Sequence, residues 1–305
     1  MWRVWATALI WGLNWPAVKI ILGAVSPLAL RAAGLSLAAA LLAAITIVSG
    51  RSLAIARADW RTILIASLLS VAGFNICAVF AQLTMPTSRA TILTFTMPIW
   101  ASLFARIALG ERLDRLRQLA LAFGAAGLAV LAVPFWPVIR DGGWPVGLLF
   151  ALGAAIFWAA GTVYMKARPV AADPLAITTW QIGIAAAVCT LAMLAFETPR
   201  FNLAEPRVAA AFAYHVVLPQ ALAYVLWFDL VRRVPASTAG LGTLLIPIFG
   251  VAGAVVFLDD RPTMLDLAGF ALILAGVLID QAWRGWTTRT TAGSGPVTEP
   301  TAGRS

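Results

Sequence analysis

Hydrophobic positions along this chain come in long runs, not in alternation. Ten such runs lie near residues 4–22, 28–49, 62–83, 88–109, 117–134, 146–166, 175–196, 208–229, 237–258 and 264–283, separated by mostly short connections that hold most of the charge. Each is long enough to cross ~30 Å of hydrocarbon as a helix whose backbone hydrogen bonds close within the segment. The short alternating segments of a membrane β-barrel are absent. The pattern predicts an all-α membrane protein with ten transmembrane helices.

Composition agrees. The 305 residues are 61% hydrophobic and 11% charged, and the mean hydropathy is +0.90, more apolar surface than one water-soluble core hides. The net charge of +9 is no nucleic-acid footprint once the basic residues are located. With the N-terminus cytoplasmic, 15 of the 22 Lys and Arg fall on the cytoplasmic side, which predicts both termini inside an inner (plasma) membrane. The first run is read as a helix and not as a cleaved leader, because Asn14, Pro16 and Lys19 interrupt it. Residues 285–305, rich in Gly, Ser, Thr and Pro, are expected to be a disordered tail. Cys77 and Cys189 stand far from any ligand-spaced partner and are expected to be inert core residues.

The chain also repeats itself. At an offset of 149 residues Ser88 meets Ser237, Thr94 meets Thr243, Pro98 meets Pro247, Arg112 meets Arg261 and Gly127 meets Gly276. At an offset of 147, Trp11 meets Trp158, Lys19 meets Lys166, and SPLAL at 26–30 meets DPLAI at 173–177. The expected division is a first repeat at 1–135, a second at 136–284 and the tail. Five helices per repeat is an odd number, so the second repeat enters the membrane from the opposite side. Inverted repeats of this kind build many secondary transporters, with substrate near the midplane and alternating access by rocking.

These residues resemble a known family. The Pro-Ile pair of segments 4 and 9, the helix end LGERL at 109–113 and the Gly-containing LAFGAAGLAVL at 121–131 are similar to the drug/metabolite transporter superfamily, in its ten-helix members built from two EamA-type repeats. The second copy carries Asp260 where the first has Glu111. Among such proteins the Trp-rich chain looks most like the aromatic amino-acid exporters that also pass methyl viologen. The resemblance implies export of aromatic or neutral apolar amino acids, with flat cationic drugs as further substrates. Another metabolite or drug is the alternative within the superfamily.

Candidate contacts follow from polar and aromatic residues deep in the runs. Proline frees the carbonyl four residues earlier, that of Thr94 under Pro98 and that of Thr243 under Pro247, so the two kinks are paired candidates facing one cavity. A kink used only for packing is the competing reading. Asn75 and Gln82 share a face of segment 3, and Gln220 and Tyr224 share one of segment 8 with Trp227 close by. Segment 1 adds Trp11 and Asn14, and segment 6 adds Trp158 and Thr162. Each amide taken singly also suits interhelical bonding. Among the internal tryptophans Trp11, Trp100 and Trp158 are favoured for the cavity, while Trp15, Trp180 and Trp227 are core or cavity.

All 13 acids lie in connections, in the tail or near segment ends, and His215 is the lone internal titratable group, expected to be structural, so strong proton coupling is not expected. Lys19 and Lys166, the only lysines, sit near segment ends, which ranks phosphorylated substrates low. No nucleophile with a base, carboxylate pair or metal set suggests an intramembrane enzyme. A channel or passive scaffold is the rival of another class. The expected partners are a small-molecule substrate (an amino acid or amphipathic drug) and the lipid bilayer, with no nucleic acid, metal or cofactor. Gly124 with Gly127 and Gly250 with Gly253 are expected to pack helices inside a monomer.

Overall fold

The computed structural model describes residues 2–111, 115–224, 226 and 245–293. Helix occupies the described part of every predicted segment, and among the described residues the only β-pairing is the single bridge between Val25 and Phe201. The order is α1 (Trp2–Leu22), α2 (Pro27–Val48), then a rod of α3 (Trp60–Ala66), a π-helical stretch Ser67–Gly73 and α4 (Phe74–Thr84). Next come α5 (Thr87–Thr94), α6 (Met97–Leu109), α7 (Arg115–Ala132), the short α8 (Trp136–Arg140), α9 (Val146–Ala167) and α10 (Pro174–Phe196). The last are α11 (Pro206–Val217), which runs on into a second π-helical stretch Leu218–Leu222, then α12 (Leu245–Leu258) and α13 (Met264–Gly293). Among the described residues seven helical runs are long and apolar enough to cross a membrane, and two shorter apolar helices lie at 245–258 and 264–279. The chain is an all-α, multi-pass membrane protein.

Local chemistry explains the helix ends. Helices α2, α10 and α11 each begin on proline, where the missing N–H would have had no intrahelical partner. Asp173 caps α10 by accepting from the Leu175 N–H at 2.8 Å. At the corresponding start of α2 stands Ser26, and there the cap arrives from elsewhere: Glu197 accepts from the Leu28 and Ala29 N–H groups at 2.9 and 3.0 Å. Gly110, at φ 67°, closes α6 in the left-handed conformation that costs glycine least.

Packing follows the repeat. Helix α1 lies against α12 and α11, while α9 lies against α6 and α4, which are the same two partnerships with the halves exchanged. Helices α2 and α10 pack on each other, as do α7 and α13, each helix against its own repeat mate. The glycines act inside this bundle. A Cβ on Gly127 would meet the Gly269 carbonyl at 2.7 Å, and one on Gly253 would meet Leu13 of α1 at 2.8 Å.

Polar contacts sort into two ends. At one, Arg51 pairs with Asp173, Trp180 donates to the Leu53 carbonyl and Lys166 pairs with Glu111. At the other, the Ser26 N–H bonds the Arg200 carbonyl, Arg89 pairs with Asp266 and Arg207 donates to the Phe257 carbonyl. Two expectations need correction. Trp180 is neither core nor cavity but stands at the first end, its ring edge-on to Trp60 at 4.8 Å. Helix α13 runs to Gly293, into the stretch expected to be disordered, because no proline intervenes before Pro296 and the Gly-Ser-Gly-Pro breaker begins only at Gly293. Residues 294–305 lie outside the described ones.

Candidate functional site

The repeat-related tryptophans Trp11 and Trp158 each make an aromatic pair. Trp11 of α1 meets Tyr224, just past the second π-helical stretch, edge-on with centroids 5.6 Å apart. Trp158 of α9 meets Phe74, just past the first, at 5.0 Å. Both π-helical stretches therefore lie next to the helix that carries the repeated tryptophan. A π-bulge places an extra residue in one turn and leaves backbone groups open to other donors. Here the Pro219 carbonyl takes the Trp11 indole N–H at 3.0 Å. In the other half a Cβ on Gly161 would lie 2.5 Å from the Ser70 Cβ, so glycine is what lets α9 approach the bulge.

Around the first pair the expected residues converge. Asn14, almost one turn from Trp11, places Oδ1 2.7 Å from His215 Nδ1, and Tyr214 donates its hydroxyl to the Ile10 carbonyl at 2.7 Å. Gln220 is buried within the π-helical stretch. Around the second pair the polar groups are turned inward on their own helices. Asn75 donates to the Val71 carbonyl at 2.8 Å, and Thr162, exposed, donates to the Trp158 carbonyl at 2.9 Å. Gln82 is buried with Oε1 unpartnered, while its backbone carbonyl accepts from the Lys19 ammonium.

The proline kinks differ from expectation. Segment 4 is broken at Phe95–Thr96, ahead of Pro98, and Pro98 sits in the first turn of α6, where a missing N–H is harmless. Thr96 organises the break: it donates to the Leu93 carbonyl at 2.7 Å and accepts the Trp100 indole N–H at 3.3 Å. The signal was present as a threonine two residues ahead of a proline, read instead as a freed carbonyl at Thr94. Thr94 is fully buried with its hydroxyl unpartnered. Pro98, with Ile99 and Ser102, lines a narrow cleft against Gly124 of α7 and Gly276 of α13. Pro247 is buried on α12, one turn from Gly250, whose Cβ would meet Thr91. Among the described residues the two prolines thus face different neighbours, Pro98 toward Gly124 and Gly276 and Pro247 on the helix that packs against α1. Thr243 and Trp227 lie outside the described residues.

Sequence reasoning missed Arg31. It is 3% exposed, one turn into α2, and has no hydrogen bond or ion pair among the described residues. The two lysines were found, and each meets an acid at the helix end of the opposite half. Lys166 bonds Glu111, and the charge of Asp260, the repeat mate of Glu111, reaches Lys19. Among the described residues no group of three or more His, Cys, Asp or Glu is placed to hold a metal. Cys189 is buried and Cys77 half-buried, and both are free thiols.

A bundle of apolar helices, two of them interrupted by π-turns beside repeated tryptophans, defines a multi-pass membrane transporter. The chain belongs to the EamA-like transporter family, which matches residues 3–133 and 145–279. It is 28% identical over 274 residues to the uncharacterized transporter YvbV of Bacillus subtilis, covering 89% of this chain and 88% of that one. It is 25% identical to a probable terminal-alkyne amino-acid exporter of Streptantibioticus cattleyicolor, covering 92% of each. Its identity to a probable amino-acid metabolite efflux pump of Salmonella typhimurium is 26%, over 89% of this chain and 91% of that one. A solved crystal structure shares the fold at a TM-score of 0.66 and 21% identity, covering 93% of this chain and 97% of the other.

Proposed function

We propose that this transporter exports amino acids with aromatic or neutral apolar side chains, and flat cationic drugs, across the inner (plasma) membrane by alternating access. The carrying observation is that the repeat mates Trp11 and Trp158 each pack on an aromatic ring, Tyr224 and Phe74 respectively, beside a π-interrupted helix. Ring faces at both positions suit flat apolar groups and attract cations. Two of the relatives are named as amino-acid exporters or efflux pumps, which favours that substrate class and the outward direction.

In this reading repeats 1–135 and 136–284 are inverted five-helix halves with both termini cytoplasmic, and the monomer is the working unit. The exchanged partnerships of α1 and α9 support the rocking of one half against the other. So do the two lysines, one toward each end of the bundle, Lys166 bonding Glu111 and Lys19 bonding the Gln82 carbonyl. Apart from Asp280, within α13, the described acids stand at helix ends or in connections, which argues against strong proton coupling.

The test is counterflow in proteoliposomes preloaded with unlabelled amino acids, following uptake of labelled phenylalanine. Accumulation is expected with Phe, Trp and neutral apolar amino acids, and its loss in Trp158→Ala or Gln82→Ala. Folded protein without counterflow for any amino acid would overturn the substrate assignment and leave another metabolite or drug. Non-saturable flux without counterflow would mark a channel.

A further inference from the structure

Arg31 is a guanidinium that stays protonated under all ordinary conditions, buried in an apolar bundle without a counter-charge among the described residues. Glu197, against the start of the helix that carries Arg31, is committed: its two carboxylate oxygens hold the Leu28 and Ala29 N–H groups. Across from Arg31 stands His215 of α11, fully buried and close enough for the arginine's charge to act on it. The imidazole is held by Asn14 at Nδ1, whereas Nε2 has no partner and points at Gly34, where a Cβ would come within 3.1 Å of it. Two nitrogens, Arg31 Nε and His215 Nε2, are thus both buried and unpartnered. Buried polar groups are ordinarily bonded, and an unpaired buried charge is the costlier exception.

The repeat supplies an internal control. The positions that correspond to Arg31, Asn14 and His215 in the other half are Thr178, Gly161 and Ala66. Thr178 bonds its own helix at the Pro174 carbonyl, Gly161 packs on Ser70, and Ala66 is buried. The same architecture is therefore built there with no charge and no polar triad, so helix packing does not require one. Such a set within a membrane bundle marks a functional site.

Resting on the proposed amino-acid export, we infer that Arg31, oriented with His215 and Asn14, binds the carboxylate of the transported amino acid. A guanidinium presents paired donors matched to a carboxylate. Asn14 lies three residues from Trp11, a rise of about 4.5 Å, so a substrate held there by its carboxylate sets its side chain beside the Trp11–Tyr224 pair. The substrate also brings the negative charge that Arg31 lacks, so site and ligand neutralise each other inside the bundle.

The experiment uses the full chain in two arms. In detergent, thermal unfolding is followed with 3-phenylpropionate, with 3-phenylpropanol and with chloride. The acid is expected to raise the Tm of the wild type, the alcohol and chloride are not, and Arg31→Gln is expected to lose the response to the acid. In proteoliposomes, Arg31→Gln is expected to raise the half-saturating concentration of phenylalanine about tenfold or more while leaving that of phenethylamine, which lacks the carboxylate, within twofold. Arg31→Lys, which keeps the charge without the fork, falls between. Equal stabilisation of the wild type by acid and alcohol overturns the inference whatever the transport result. Stabilisation by chloride as strong as by the acid makes this a small-anion site and overturns it too. A wild type that binds the acid but shows no counterflow refutes the export reading alone.

Discussion

Gly276→Ala tests the packing on which both broken halves rest. Helices α7 and α13 touch backbone to backbone, and a Cβ added to Gly276 would lie 2.6 Å from the Ala120 carbonyl oxygen and 3.2 Å from the Gly124 nitrogen. A close carbon-to-carbonyl contact is about 3.3–3.6 Å, so α13 has to back away by roughly 0.7 Å or more. Neither contact is the flexible end of a side chain, so nothing local yields. Overpacking of this kind costs about 1–3 kcal/mol. At about 2–4 °C per kcal/mol this lowers Tm by about 2–12 °C. Its repeat mate Gly127 meets the Gly269 carbonyl at 2.7 Å and Ile273 Cγ1 at 2.8 Å, so Gly127→Ala is expected to cost a similar amount. The double variant costs less than the sum, since a helix already displaced by the first alanine admits the second. Gly183→Ala in α10 is the control: its nearest non-local atom is Ala39 Cβ at 3.9 Å, and the change is expected to be neutral or stabilising by up to ~1 kcal/mol. Thermal unfolding of purified protein reads all four. A Gly276→Ala protein melting at or above the wild type refutes the close approach.

Lys166→Met and Lys19→Met are expected to shift the accessible face in opposite directions, read by maleimide labelling of single cysteines placed at each end in a cysteine-free background. Lys166 is 61% exposed, so its pair with Glu111 contributes about 0.2–1 kcal/mol and the labelling shift is at most about fivefold. Equal or parallel shifts at both ends would refute opposing roles for the two lysines in the rocking of the halves. Asp266 is 3% exposed and accepts from Arg89 Nε at 2.7 Å, Arg89 Nη2 at 3.0 Å and the Thr263 N–H at 2.9 Å, so Asp266→Asn leaves a half-buried guanidinium poorly compensated. The expected loss is about 3–5 kcal/mol in thermal unfolding, and a wild-type melting profile would contradict it.

The membrane spans were legible because hydrocarbon thickness imposes one length on every crossing, and runs such as 146–166 carry that length openly. The repeat was legible in Pro98 with Pro247 and in Lys19 with Lys166. Small-residue spacing pointed to Gly124, Gly127, Gly250 and Gly253 as packing positions, where a Cβ would meet neighbouring helices. The π-helical stretches were not legible: one extra residue per turn does not change the hydropathy of a run such as Ser67–Gly73, whose two serines bond to carbonyls as they would in an α-helix. The break at Thr96 was displaced onto Pro98 because a proline announces a lost bond, whereas a threonine that takes over a carbonyl looks like any other polar residue.

Arg31 escaped for a different reason, one that bears on how such chains divide their labour. Repeats are found by looking for agreement, and Arg31 disagrees: it faces Thr178 across the alignment, just where the likeness of SPLAL to DPLAI stops. Symmetric positions have to serve both halves, so they carry what both require: tryptophans beside bulges, glycines at crossings and lysines at helix ends. An amino acid, however, is a polar object with one carboxylate. A site that recognises its two ends differently cannot be symmetric under exchange of the halves. The residues that choose the substrate should therefore lie where the repeat fails while burial persists. Arg31 and His215 meet both conditions, facing Thr178 and Ala66 in the other half, and the half-buried Asn14, which holds the imidazole, faces Gly161. Transplanting the triad tests this step: Thr178→Arg with Ala66→His should not create a second carboxylate response, because Gly161 leaves no amide to hold the imidazole and the Ser70 contact leaves no room to add one.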